Sequence, residues 1–311
     1  MRQWSRRVPT IYFLDLMMVD AAKRALTNAN KPPKIAARIA RLRRLDRPGN
    51  GFSYLLAMME KVSDPRGKLT AEELAGQVRL DARMLAKFPR QAAFCETDAL
   101  IEQGLRDMQG SDIEKATPGY IDFLLAMNAL PGLRGTVAPR LRFAQATEIV
   151  EIADALGVAR HHPVVLVTLA RLYGNSDARR VLKFGDRTVD PFDPVNVLAD
   201  IMMIRRFAER KVEIEDEGRR GLMPFVRAEL VTDDQGLVGL VPCFEPTGVT
   251  HRDEGGQSEC TLHVTLHLAR LLTDLGVERE REDAGRRDGE DAEPDEFDRV
   301  CALILATPGR S

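Results

Sequence analysis

The stretch "TIYFLD" (residues 10–15) most constrains the fold, because a β-branched and aromatic run ends directly on a carboxylate. Such a run favours a buried strand, with Asp15 at its carboxyl end. The residues that follow repeat apolar side chains at helical spacing, at Leu16, Val19, Ala22 and Leu26. A strand that leads straight into a helix is the first half of an α/β unit, so we predict an α/β protein.

Most of the remaining chain has helical periodicity. Helical patterns dominate from "FSYLLAMMEK" to about residue 180, and Thr70 with Glu73 forms a capping-box signal for one of these helices. A second strand is predicted within "AELVTDDQGL" (residues 228–237), and "VGLVPCF" is a weaker strand candidate. The segment "CTLHVTLHLARLLTDLG" is predicted to return to helix.

Charge is distributed unevenly along the chain. Residues 1–50 contain twelve Lys and Arg against three Asp, whereas residues 278–298 contain eleven Asp and Glu against four Arg. The basic part leaves room for a surface that binds a polyanion, and the acidic part is predicted to be a disordered linker. Apolar runs fall far short of the ~20 residues that cross a bilayer, and the cysteines form no CxxC pair, so we predict a cytoplasmic protein without a membrane partner.

Carboxylates occur in three widely separated apolar contexts. Asp15 ends the first run, Asp200 interrupts "NVLADIMMI", and Asp233 and Asp234 end the late strand. Because the carboxyl ends of parallel strands share one edge of a sheet, Asp15 and Asp234 are expected to converge. Asp200 has apolar neighbours on both sides, so it requires a hydrogen-bond donor, a cation or a metal. Each acid also has an ordinary interpretation, Asp15 as a helix N-cap and the Asp pair as a turn before a glycine.

The order of these motifs, "YFLD", a helical Glu60, "NVLADIMMI" and "VTDDQGL", resembles that of the PIN-domain nucleases. The resemblance implies a three-layer, helix-rich α/β fold with a central parallel sheet, in a single elaborated PIN-like domain over residues 1–311. Its nuclease-like core would take residues 8–62 and 193–270, and a large helical insertion would take residues 63–192.

The resemblance also implies a site and a reaction. It assigns catalysis and metal binding to Asp15, Glu60, Asp200 and Asp234, with Asp233 as a further metal ligand. For the helical Glu, Glu72 or Glu73 is the alternative, and Glu60 would then lie on a solvated helix face. Carboxylate oxygens suit Mg²⁺ and Mn²⁺, and a cation held in this way can support hydrolysis of RNA or DNA phosphodiesters. RNA is the favoured substrate, and a role as a toxin or phage-defence component is an analogy with the family. The residues after Asp15 depart from the family, which commonly carries a small hydroxyl residue and then Asn there.

Basic and amide side chains complete the predicted site. The helix "KIAARIARLRRL" suits a phosphate backbone, and the candidates for substrate binding are Lys34, Arg38, Arg41, Arg44 and Asn196. A solvated basic face, or an internal partner for the acidic segment, explains this helix about as well, and a helix-start role explains the amide. The rival to the nuclease is a non-enzymatic helical interaction or nucleic-acid-binding protein with a degenerate PIN-like core. A protein partner, or a second copy in a homodimer, would bind through the helical insertion.

A second metal pattern is the C-x2-H-x3-H spacing of Cys260, His263 and His267. On a helix the two histidines would share one face, which zinc could use. A fourth ligand is not apparent, so ordinary packing is the favoured interpretation.

Overall fold

The computed structural model describes residues 8–27, 32–62, 69–108, 117–185, 192–254, 257–285 and 295–306. Within them the strands are β1 (Thr10–Leu14), β2 (Gly51–Ser53), β3 (Ala93–Phe94), β4 (Arg227–Val231), β5 (Phe244–Glu254) and β6 (Gln257–Leu266). The helices are α1 (Leu16–Ala25), α2 (Pro33–Leu45), α3 (Leu55–Val62), α4 (Ala71–Leu85), α5 (Asp98–Met108), α6 (Thr117–Ala129), α7 (Pro131–Arg134), α8 (Pro139–Ala155), α9 (Pro163–Leu172), α10 (Ser176–Leu182), α11 (Pro194–Arg219), α12 (Gln235–Leu240), α13 (Leu268–Leu271), α14 (Thr273–Gly285) and α15 (Glu296–Leu305), with a 3₁₀ turn at Val241–Cys243.

The chain divides into two compact units. The first takes its residues from Met1–Ile113, Arg205–Asp234 and Pro246–Val264, and the second from Glu114–Ile204, Gln235–Glu245 and Thr265–Ser311. The first unit therefore includes residues beyond 62, and the short strand β3 adds to its sheet there. The limits of the nuclease-like core and of the helical insertion stay a prediction.

A four-stranded parallel sheet organises the first unit, in the order β3-β2-β1-β4. β1 lies between β2, where Phe13 is opposite Ser53, and β4, where Leu14 is opposite Val231. β2 pairs in parallel with β3. All four strands run in one direction, so their carboxyl ends form a single edge. The predicted α/β class with a parallel sheet is confirmed, and the PIN-like character of the fold stays a prediction.

Both faces of β1 are buried. Tyr12 and Leu14 join an apolar core to which α1, α2, α3, α4 and α5 all contribute. Phe13 points to the opposite face because side chains alternate along a strand, and its ring lies 6.1 Å from that of Phe207 in α11. Full burial of a large apolar side chain contributes about 1.5–3 kcal/mol, so helices on both faces stabilise this central strand.

Gly51 begins β2 at a position with no room for a side chain. A Cβ there would lie 2.5 Å from Cys95 Sγ and 2.5 Å from Cζ of Phe225. Carbon atoms do not approach other atoms so closely without a shift of the neighbours. Glycine therefore allows β2 to lie between these two side chains.

Two local hydrogen-bond arrangements stabilise the first unit, one at the start of α4 and one just after the end of α2. Thr70 caps α4, and the reciprocal hydrogen bonds with Glu73 form the predicted capping box. Asp46, just after α2, accepts hydrogen bonds from three successive backbone N–H groups of residues 90–92 at 2.9 Å each, and Arg43 Nη1 lies 3.2 Å from it. This buried carboxylate fixes the segment that leads into β3.

Two segments differ from the sequence-based predictions. Within "VGLVPCF", residues 238–240 end helix α12 and the next three form the 3₁₀ turn, because Gly236, Leu237 and Leu240 are buried at helical spacing. The segment predicted as a helix from residue 260 instead completes β6, where Leu262 and Val264 alternate with exposed neighbours. The strand predicted at residues 238–243 was wrong, and the helix predicted from residue 260 was wrong up to Leu266 and confirmed at Leu268–Leu271 and from Thr273 onward.

The assignment of β6 also removes the geometric basis of the C-x2-H-x3-H pattern. Residues four apart along a strand are separated by about 13 Å, whereas on a helix they are neighbours. His263 instead lies 2.9 Å from the Thr250 hydroxyl, within the first unit, and His267 lies 3.0 Å from Glu245, within the second.

The second unit is built from helices around α9, in which every residue from Val164 to Leu172 is buried. Arg171 of this helix donates to the carbonyl oxygens of Leu133 at 2.6 Å and Phe184 at 3.0 Å. Burial lowers the pKa of Arg171 to about 10. Backbone carbonyls thus satisfy the buried guanidinium, and this arrangement holds three segments of the unit together.

The acidic segment 278–298 is not wholly irregular. Helix α14 continues to Gly285 and helix α15 begins at Glu296, while residues 286–294 of the predicted linker lie outside the described residues. In the part of the chain that the structure describes, no helix combines the length and the apolar character needed to cross a membrane.

Candidate site at the carboxyl edge of the sheet

Acidic residues follow three of the four parallel strands at the same edge. Asp15 comes directly after β1, Glu96 lies two residues after β3, and Asp233 and Asp234 follow β4. β2 ends at this edge with Ser53, which is buried. Crevices at the carboxyl ends of parallel strands are the usual ligand sites of α/β proteins, so this edge is the candidate site.

Asp15 is the best-defined member of this edge. Its side chain is only 6% exposed, and Oδ1 accepts a hydrogen bond from the backbone N–H of Met18 at 2.7 Å. The ordinary interpretation of Asp15 as the N-cap of α1 is therefore confirmed. Burial raises the pKa of Asp15, and hydrogen bonds from the Thr232 hydroxyl and from the N–H groups of Met18 and Asp233 oppose that rise in part.

Thr232 connects the ends of β1 and β4. Its hydroxyl donates to the Asp15 carboxylate and accepts from the backbone N–H of Asp234 at 3.0 Å. The residue is 2% exposed, so both bonds are shielded from water. The sequence lacks the hydroxyl residue that PIN nucleases commonly carry after their first Asp, and here a hydroxyl reaches Asp15 from the neighbouring strand.

Glu96 was missed by the sequence analysis. Its carboxylate accepts hydrogen bonds from the Ser53 hydroxyl and from the backbone N–H of Tyr54, the latter at 3.0 Å. Burial raises the pKa of Glu96, against the lowering effect of these bonds. A signal was present, because "AFCE" places a carboxylate after an aromatic run as "YFLD" does. A strand of only two residues gave too short a pattern to be recognised.

The basic helix α2 contacts the end of β4. Arg38 lies against Asp233, with Nε at 3.0 Å and Nη2 at 2.8 Å from the same oxygen, Oδ2. Arg41 Nη1 donates to the backbone carbonyl of Thr232 at 2.6 Å. Two of the predicted phosphate-binding residues thus have internal partners at the candidate site. Lys34 and Arg44 of the same helix are exposed.

The other predicted residues lie at different places in the fold. Glu60 is partly buried in α3, within the first unit. Asp200 and Asn196 belong to the part of α11 assigned to the second unit, where Lys183 Nζ lies 3.9 Å from an Asp200 oxygen. The predicted requirement of Asp200 for a partner is thus met by a cation. Asn196 is exposed, and its backbone N–H donates to Asp193 at the start of α11.

The chemistry of the edge suits a hard cation, because its acids offer only oxygen ligands. Among the residues that the structure describes, however, no group of three or more His, Cys, Asp or Glu side chains is arranged to hold a metal ion.

Comparisons of the chain with known protein families, with curated proteins and with solved structures find no match. The candidate site is therefore defined by its own geometry, and the resemblance to PIN nucleases stays a prediction.

Proposed function

We propose that the protein is a metal-dependent nuclease, and that it hydrolyses RNA phosphodiesters at the carboxyl edge of its parallel sheet. One observation carries the proposal: acids follow three of four parallel strands at one edge, and a basic helix is attached beside them. Carboxylates and guanidinium groups side by side suit a substrate that carries phosphates together with a divalent cation.

The residues of the first unit divide into two roles under this proposal. Asp15, Glu96, Asp233 and Asp234 would have to move together to hold Mg²⁺ or Mn²⁺, because among the described residues no three such side chains are arranged around an ion. The positive charges of α2 would hold the nucleic-acid backbone. The bound cation would polarise the phosphoryl group and stabilise the negative charge that develops on it. Thr232 acts on Asp15 and on the backbone of Asp234, so it positions ligands and is not itself catalytic. Glu60 and Asp200 remain predictions to be tested beside this set.

Cleavage of labelled single-stranded RNA and DNA, in Mg²⁺, in Mn²⁺ and in EDTA, tests the proposal. We expect wild type to cleave RNA only with a divalent cation, and Asp234→Asn to lose most of that activity. Asp20→Asn is the matched control, because Asp20 is an exposed acid of the same unit whose ion pair with Arg24 lies on the surface of α1. Cleavage that persists in EDTA or in Asp234→Asn would overturn the proposed site.

The variants Asp200→Asn and Glu60→Gln test whether these two acids belong to the proposed metal site. Loss of cleavage in Asp200→Asn or Glu60→Gln, equal to that of Asp234→Asn, would add that residue to the site. Unchanged cleavage in either variant would remove it.

The rival function is binding without catalysis. One observation favours it: Asp15 caps α1 and Asp233 pairs with Arg38, so both acids already contribute to the fold. Absence of cleavage with every cation, together with RNA binding that survives EDTA, is the result that the rival predicts.

A further inference from the structure

We propose that Arg38 is a phosphate receptor whose resting occupant is Asp233, so that a nucleic-acid phosphate and this carboxylate compete for one guanidinium group. The inference rests on the proposed function of the carboxyl edge. It adds a mechanism by which substrate binding releases one of the proposed cation ligands.

The guanidinium of Arg38 contacts only one of the two carboxylate oxygens of Asp233 in the contacts that the structure gives for this pair, and its Nη2 also lies 3.5 Å from Met17 Sδ. Nε and Nη2 of Arg38 both lie against Oδ2 of Asp233, at 3.0 Å and 2.8 Å. The planar fork of arginine instead matches two oxygens side by side, an arrangement that a phosphate group offers with its several oxygens. A phosphate can therefore satisfy Arg38 better than the present single-oxygen contact does.

Exposure allows the exchange. The side chain of Asp233 is 39% exposed and that of Arg38 is 15% exposed, so the acid can turn into solvent while the arginine stays on the protein surface. Ion pairs that are open to water stabilise a fold only slightly, so their rupture is not a large barrier. Lys34 lies one turn earlier on the same helix face and adds an exposed positive charge for the next phosphate.

The neighbouring backbone is held independently of the ion pair. Arg41 donates to the carbonyl of Thr232 at 2.6 Å, and the hydroxyl of the same Thr232 accepts from the N–H of Asp234 at 3.0 Å. α2 and the end of β4 therefore keep their positions when the Asp233 side chain rotates. The released carboxylate remains on the segment between Thr232 and Asp234, beside the other acids of the edge.

A double-mutant cycle on RNA binding tests the competition. Fluorescence anisotropy of a labelled single-stranded RNA, in EDTA and at low salt, is measured for wild type, Asp233→Asn, Arg38→Gln and the double variant. We expect Asp233→Asn to tighten binding about two- to fivefold, the range that loss of a partly exposed ion pair allows, and Arg38→Gln to weaken it. In the Arg38→Gln background, Asp233→Asn should have no effect.

Asp20→Asn again provides the control for simple loss of negative charge. If Asp20→Asn tightens RNA binding as much as Asp233→Asn does, or if Asp233→Asn still tightens it in the Arg38→Gln background, a general charge effect explains the result. The phosphate-receptor proposal would then be wrong. No RNA binding by wild type would overturn it as well. If Asp233 and Arg38 are coupled in RNA binding in EDTA but no RNA is cleaved in Mn²⁺, the phosphate-receptor proposal is supported and the hydrolysis proposal is wrong. The two proposals can therefore fail separately.

Discussion

The hydroxyl of Ser53 donates a hydrogen bond to the carboxylate of Glu96, which ties the end of β2 to the segment that follows β3. The same carboxylate accepts from the N–H of Tyr54, the residue before α3. Glu96 therefore shapes the candidate edge and also supplies one of its charges. A substitution that keeps the shape and removes the charge separates these two contributions.

The two hydrogen bonds use different oxygens of Glu96, so in Glu96→Gln the amide oxygen can accept from the N–H of Tyr54 while the amide N–H₂ donates to the Ser53 hydroxyl. We therefore expect the variant to fold with a free energy of unfolding about 1 kcal/mol below that of wild type. Cation-dependent cleavage of RNA should nevertheless fall at least about tenfold, because an amide is a poorer ligand for a hard cation. Urea denaturation and cleavage rates in Mn²⁺ provide the two measurements. Wild-type cleavage by a stably folded Glu96→Gln would place this residue outside the site.

Thr232→Val removes the hydroxyl that bridges Asp15 and the backbone of Asp234. Because Thr232 is buried, we expect a loss of about 1–3 kcal/mol in the free energy of unfolding and a lower cleavage rate. Thr250→Val is the matched control, since that exposed hydroxyl of the same unit contacts only β6. Equal stability changes in the two variants would contradict the bridging role.

Asp46→Asn should destabilise the protein by about 2 kcal/mol at neutral pH, because a buried carboxylate that accepts three backbone N–H bonds loses its charge. Burial alone would raise the pKa of Asp46, but the N–H groups of Ala92, Gln91 and Arg90 together with Arg43 hold it below its ordinary value.

The lowered pKa fixes the sign of a pH effect. The contribution of Asp46 to stability is fully present above its unfolded-state pKa of about 4 and is lost as the pH falls through the lower folded-state value. The difference in free energy of unfolding between wild type and Asp46→Asn should therefore shrink between pH 5 and pH 3. A difference that is constant over this range would show that charge is not the cause.

Asp81 is at the centre of a buried charge cluster in the first unit. Lys23 of α1 and Lys61 of α3 both pair with it, the latter at 2.6 Å, and the Tyr54 hydroxyl lies 3.3 Å away. Asp81→Ala leaves two lysines without their counter-ion, so we expect a loss of about 3 kcal/mol in the free energy of unfolding. Thermal or urea denaturation measures this loss, and Asp20→Asn, which breaks only an exposed pair, should change stability by less than about 0.5 kcal/mol. Similar values for the two variants would contradict the importance of the cluster.

Within the parallel sheet, the sequence predicted the two longer strands. β1 and β4 each have five residues, β1 being β-branched, aromatic or apolar throughout and β4 carrying Ala228, Leu230 and Val231, which is enough for a pattern to be recognised. β2 and β3 have three and two residues, so they were absorbed into neighbouring helical patterns. In β6 the alternation at Leu262 and Val264 was present, but leucines further along suggested a helical period.

The position of Asp15 at the candidate site could be predicted because its signal is local. The strand-end position of Asp15 follows from the residues on either side of it, and so does its role as a cap. The ion pair of Arg38 with Asp233 joins residues from opposite parts of the sequence, and only the pairing of β1 with β4 brings them together. The division into two units, which assigns Asp200 to a different unit from Asp15, depends on the whole set of tertiary contacts and has no local signal.

The pairing of β1 with β4 has a consequence during synthesis. Leu14 of β1 precedes its partner Val231 of β4 by 231 − 14 = 217 residues, so during synthesis the hydrogen-bonding edge of β1 toward β4 can be covered only after Val231 has emerged. At ~5–20 residues per second, this interval is roughly ten to forty seconds. During that time a strongly apolar strand presents an open edge, which is a template for association with other chains. The nascent protein should therefore depend on chaperones that shield its first strand.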